Sequence, residues 1–214
     1  KLENNATTVQ DIAIKAVVPQ DKQTVFKYSK ASGTYSTALD GDWAALGGNA
    51  AEGVVLYNTT SSAEHFEASL LDTSVVGATM TSADISYKVS MSNGWLAVGR
   101  CVASDDDTSY VLLYHLEGGV YQRKQSFSGP SAGMYGCSLS LAPGMLAVGA
   151  YKETGPTTTG MVYVYELEKH SQVWRLRDPF SQDTTTYSTG STTDPYGQFG
   201  YTVAVTDVNT DAHS

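Results

Sequence analysis

A five-residue phrase returns along this chain at a nearly constant interval, and few folds tolerate that. Trp95-Leu96-Ala97-Val98-Gly99 recurs as Met145-Leu146-Ala147-Val148-Gly149, its glycine 50 positions further on. Trp43-Ala44-Ala45-Leu46-Gly47 is a looser copy, its glycine 52 positions before Gly99. The flanks recur as well. Tyr87 to Met91 precedes one copy as Cys137 to Leu141 precedes the next, and Tyr35 to Leu39 is a degenerate version. Val54 to Tyr57, Val111 to Tyr114 and Val162 to Tyr165 follow the three copies. A fourth run completes each unit, clearest at Val120 to Phe127 and Val173 to Arg177, weaker at His65 to Leu71. A further unit opens at Phe199 to Val205.

Each run is short, apolar and bounded by turn residues such as Pro143-Gly144, which predicts β-strands. Leu139 and Leu141 fall on one face of their strand, Ser138 and Ser140 on the other. The run at Met161 to Tyr165 carries valines on one face and tyrosines on the other, so both faces need cover. Fourteen tyrosines, 20 glycines and many Ser and Thr residues favour strand and turn, and no amphipathic helical window stands out.

Four strands repeated every ~50 residues mark a propeller blade. The expected fold is therefore all-β, a β-propeller of four-stranded blades that is incomplete in this chain. Blades are expected at 33–83, 84–133 and 134–195, with the start of another at 196–214. Residues 1–32 fit poorly. Ile12 to Val18 and Thr24 to Tyr28, broken at Pro19, are strands of either a preceding blade or an edge that closes a ring. Ala97, Gly99, Ala147 and Gly149 belong where sheets converge and backbones approach closely. The Val, Leu and Tyr positions fill the space between blades, at roughly 1.5–3 kcal/mol per fully buried side chain.

The formal charge is −9, from 13 basic and 22 acidic residues. That argues against a nucleic-acid surface, which needs a basic stripe. No run approaches the ~18 apolar residues of a membrane span. No charged-then-apolar leader opens the chain at Lys1, so either a leader has been removed or this is an internal piece. Two sequons, at Asn5 and Asn58, make these asparagines candidate glycosylation sites and favour an extracellular or cell-surface address.

The chain resembles the FG-GAP repeat family, found in the N-terminal propeller of integrin α chains and in tandem-repeat extracellular proteins. The likeness rests on Tyr135-Gly136 before Ser138 to Leu141, on Leu146 to Ala150, and on Gly160 to Tyr165. Phe199-Gly200-Tyr201-Thr202-Val203-Ala204-Val205-Thr206-Asp207 is closer still. It covers about Tyr35 to the C-terminus. The first unit lacks the Phe-Gly pair, Ile85-Ser86 replaces it in the second, and Gly149-Ala150 is followed by Tyr151 rather than proline. The resemblance implies a seven-bladed propeller that binds partners and does no chemistry.

Asp207, Asn209 and Asp211 set three oxygen side chains at alternate positions of a turn, where they can converge on a hard cation. The resembling family holds calcium in this loop, so calcium is the candidate cofactor. Ala212 replaces the expected glycine, and an Asx-rich turn capping its own backbone is the alternative. Asp105 to Asp107 reads as a solvated loop, since repulsion between exposed charges ~4 Å apart is only about 1 kcal/mol in water. Cys101 and Cys137, the only cysteines, end one strand and occupy the first strand of the next unit. They are either bridged across an inter-blade seam or two buried thiols. Gly129 to Gly133 matches G-x-S-x-G, but a strand rather than a helix follows it, which removes the serine nucleophile reading. The four histidines share no metal-like spacing. Thr184 to Thr193 is a hydroxyl-rich inter-blade loop, with O-linked sugar as the functional alternative.

The leading expectation is a non-catalytic extracellular module. It would hold a protein or glycan ligand on its loop rim, or associate with copies of itself through exposed sheet edges. The alternatives are an enzyme, a lyase or hydrolase, on a propeller scaffold, and an intracellular scaffold propeller.

Overall fold

The computed structural model describes residues 10–15, 25–30, 36–48, 53–58, 85–102, 109–129, 134–154, 159–177, 180–181 and 199–206. Among them there is strand and turn and no helix. The chain divides into two compact units, Lys1–Thr34 and Tyr35–Ser214. The first holds an antiparallel hairpin, β1 (Gln10–Lys15) with β2 (Val25–Lys30).

The second unit contains three antiparallel sheets in chain order. Sheet one is β3 (Ser36–Asp40), β4 (Trp43–Gly47) and β5 (Val54–Asn58). Sheet two is β6 (Ile85–Ser92), β7 (Trp95–Val102), β8 (Tyr110–Glu117) and β9 (Val120–Ser128). Sheet three is β10 (Tyr135–Ala142), β11 (Met145–Thr154), β12 (Thr159–Glu168) and β13 (Val173–Leu176), with β14 (Phe180–Ser181) also pairing β12. Each sheet is a meander, as short sequential connections demand. Asn93 and Gly94, both at positive φ, make the two-residue turn that joins β6 to β7. The run at 35–39 is strand at Ser36–Asp40, Tyr35 lying outside the described residues, and the run at 137–141 extends to Tyr135–Ala142, while the fourth run of the first unit, His65 to Leu71, also lies outside them.

Sheet two is covered on both faces. Leu96 and Val98 of β7, with Leu112 and Tyr114 of β8, join Trp43, Ala45, Val54 and Leu56 of sheet one in one apolar cluster. Trp95 and Ala97 of β7, with Val111 and Leu113 of β8, join Leu146, Val148, Tyr165 and Trp174 of sheet three in another. This is why the β7 and β8 sequences do not alternate: neither face meets water.

The recurrent glycines lie where the sheets come closest. A Cβ at Gly47 would fall on the Tyr87 carbonyl, one at Gly99 on the Gly136 carbonyl, and one at Gly149 on the Gly200 carbonyl. No side chain fits between two backbones at that separation. The serine face of β10 is a seam. Ser140 Oγ accepts a hydrogen bond from Val205 N at 2.9 Å, and Ser138 Oγ donates to the Gly200 carbonyl at 2.7 Å. Phe199 to Thr206, read as the first strand of a further unit, lies along β10 through these bonds and joins no ladder among the described residues.

Candidate binding site along the first strands

The first strand of each sheet runs beside the first strand of the next, joined by side chains instead of a ladder. Ser36 Oγ accepts from Val89 N at 3.0 Å, Ser90 Oγ from Leu141 N at 2.9 Å, and Ser140 Oγ from Val205 N. A hydroxyl suits this task because it accepts a backbone N–H that has no strand partner on that side. These bonds set β3, β6, β10 and Phe199 to Thr206 at one common register.

Between these strands lies a cavity of about 470 Å³. Ser86 and Lys88 of β6, Ser138 of β10, Tyr151 of β11, and Tyr201 and Thr202 line it. Cys101 and Cys137 form part of its wall as a disulfide, with Cα atoms 4.6 Å apart. The bridge ties the end of β7 to the start of β10, beside the Gly99 and Gly136 approach. Tyr151 and Tyr201 meet edge to face, ring centroids 4.9 Å apart. Burial pushes the Lys88 ammonium below the ordinary lysine range. Burial, then the neighbouring Tyr201, pushes the Tyr151 phenol up. The lining therefore offers one cation, several hydroxyls and two phenol rings, and no carboxylate among the described residues. That set is chemically suited to holding an acceptor-bearing molecule.

A second cleft, of about 510 Å³, opens between β8, β9 and the β12–β13 turn. His115 stacks on Trp95 at 4.6 Å, and Lys124 Nζ donates to Glu117 Oε2 at 2.7 Å. Hydrogen bonds from Lys124 and then His115 hold the Glu117 carboxyl below its usual range. Trp95 is 3% exposed, so its ring offers no stacking platform to a ligand. The ion pairs here are self-satisfied surface groups of small energetic weight.

Several candidates from the sequence lie outside the described residues: Asp207, Asn209 and Asp211 of the calcium loop, Asn5, Asp105 to Asp107, Ser131, His65, His213 and the Thr184 to Thr193 loop. Asn58 closes β5 and is half-buried. His115 lies on β8 and His170 in the turn after β12, and no group of three or more metal-ligating side chains occurs among the described residues. Nor does any helix long and apolar enough to cross a membrane.

No protein-family model matches the chain, and no curated protein matches it. The site therefore has to be read from its own chemistry. Sequence reasoning passed over Lys88, Ser86, Tyr201 and Thr202, and noted Tyr151 only as a departure from the family pattern. A signal was present. When the three units are aligned on Gly47, Gly99 and Gly149, the residue paired with that glycine is Ser36, Lys88 and Ser138 in turn.

Proposed function

We propose that the chain is a non-catalytic β-propeller module of an extracellular or cell-surface glycoprotein, its three sheets being successive blades. One observation carries this reading. Three seams repeat a glycine-to-carbonyl approach and a serine-to-amide bond, made by Ser90 and Ser140 at matching positions and by Ser36 two positions earlier in its strand, which is the relation expected of blades around an axis. The Cys101–Cys137 bridge supports the extracellular address, because such bonds persist in oxidising compartments. The cavity along the first strands then occupies the place where a propeller presents its axial surface to a small ligand, and the loops beyond it serve a larger protein or glycan partner. Calcium at Asp207, Asn209 and Asp211 and glycans at Asn5 and Asn58 belong to the same reading.

An experimental structure of the native protein tests the architecture. β3, β6 and β10 ranged about one axis would carry the proposal, whereas a straight or spiral stack of sheets would replace it with a solenoid. Intact mass measured on the native protein tests the address. Sugar on Asn58 and no free thiol is the expected result, and bare asparagines with two alkylatable cysteines would remove the extracellular part.

A further inference from the structure

Lys88 breaks the rule that its own repeat sets. It pairs across its hairpin with Gly99, as Ser36 pairs with Gly47 and Ser138 with Gly149. Both serines bond to the neighbouring strand, Ser36 to the Val89 backbone and Ser138 to the Gly200 carbonyl. Lys88 makes no hydrogen bond or ion pair among the described residues, and burial alone lowers its proton affinity. A half-buried ammonium without a partner costs stability, while the flanking units show that serine fits the same place. Departures from local consistency of this kind concentrate where a molecule binds.

We propose that the cavity around Lys88 binds a sugar acid, a carboxylated monosaccharide either free or ending a glycan chain. Lys88 pairs with the carboxylate. The Ser86 and Thr202 hydroxyls, which hold no partner among the described residues, bond the ring hydroxyls. Tyr201, 57% exposed at the cavity mouth and braced by Tyr151, covers the apolar C–H face of the sugar. The volume of about 470 Å³ lies within the usual range for small-molecule sites, roughly 300–1,000 Å³. A fatty acid would want a lining with fewer hydroxyls. A phosphate would want more than one cation, arranged as a fork or a ring of donors. This proposal rests on the binding-module reading above.

The test is calorimetric titration of the full chain with D-glucuronate, a glycan ending in glucuronate, D-glucose and inorganic phosphate. Glucuronate is expected to bind at least ~10-fold more tightly than glucose, since a charge-assisted hydrogen bond is at stake. Tighter binding of the glycan than of free glucuronate identifies a chain end as the source, and equal binding identifies the free sugar. Lys88→Met is expected to weaken glucuronate ~10- to 100-fold, and Lys88→Arg to restore part of that, with circular dichroism confirming that each variant folds. Ser86→Ala and Thr202→Val are expected to cost a few-fold each, roughly one neutral hydrogen bond. Glucose binding as well as glucuronate, wild-type affinity in Lys88→Met, phosphate outcompeting glucuronate, or no binding of any probe at roughly 10 mM would each overturn the proposal. These results leave the module reading standing. Conversion of the recovered glucuronate, seen as a change in mass, would instead sink the non-catalytic reading and keep the site.

Discussion

The two seams around sheet two follow one plan and are fastened differently. Towards sheet one, Gly47 meets the Tyr87 carbonyl, Ser36 holds Val89, and the Asp40 carboxylate accepts from Gly94 N at 2.6 Å. Trp43 meets Tyr121 edge to face at 5.4 Å, and the Tyr121 hydroxyl is buried with no partner among the described residues. Towards sheet three, Gly99 meets Gly136, Ser90 holds Leu141, and Trp95 meets Trp174 edge to face, also at 5.4 Å. Two further devices join the sheets only there. The disulfide bridges Cys101 and Cys137. Gln125 brackets the Trp174 backbone, donating to its carbonyl at 2.8 Å and accepting from its N–H at 3.0 Å. Within sheet three, the Tyr135 and Tyr165 hydroxyls share a buried hydrogen bond of 2.6 Å, and burial pushes both phenols up, that of Tyr135 strongly. Shape is thus specified by the glycines, serines and tryptophans common to both seams, and strength is adjusted by residues that differ.

Five changes probe this contrast. Trp95→Ala removes a buried indole from the second seam and is expected to cost about 3–5 kcal/mol of unfolding free energy in urea titration. Trp43→Ala should cost no more, and a larger loss there would reverse the ranking of the seams. Replacing both cysteines with serine is expected to cost about 3–4 kcal/mol, because the bridge closes a 36-residue separation. Hydrogen exchange should then quicken at the Leu141 amide and not at the Val89 amide. Equal quickening at both would show that the two seams open together. Tyr121→Phe deletes an unpartnered hydroxyl and is expected to be neutral or stabilising by up to ~1 kcal/mol, whereas Tyr135→Phe, which orphans a buried partner, should destabilise by about 1–3 kcal/mol.

The smallest effect concerns Lys88→Ser, which gives sheet two the residue of its neighbours. It should raise the thermal midpoint slightly at neutral pH. The lysine is depressed below its unfolded value, so the cost of its charge is present at neutral pH and fades as pH climbs through the folded value towards the unfolded one. The two proteins share every other titrating group, so their stabilities should converge in alkaline solution. A gap that stays constant with pH would mean that the gain comes from packing and not from charge.

Much of the fold was legible because the repeat placed chemically similar residues at matching points. The recurring phrase ending in Gly47, Gly99 and Gly149 located the second strand of each sheet, and Pro143-Gly144 located a turn. Gly99 and Gly149 announced close approach, since little else explains a glycine inside a strand, and Gly47 proved to share it. Alternation separated Ser138 and Ser140 from Leu139 and Leu141 without saying whether the polar side meets water or another backbone. The cavity was illegible for a related reason. Lys88, Tyr151 and Thr202 come from three segments distant in sequence, and only the packing of one sheet on the next brings them together. The difference between Lys88 and its serine counterparts was nonetheless written in the alignment of the units.

The serine fastenings between first strands carry a consequence for how such a protein changes over time. A main-chain ladder between sheets would lock each to its neighbour along a whole edge, and inserting or deleting one would unravel the rest. Here hydroxyls, bare backbone crossings and apolar contacts do the joining, so a duplicated sheet that keeps those few residues keeps the means of docking on its neighbours. Each copy is then free to trade one hydroxyl for a different group and acquire a specificity of its own.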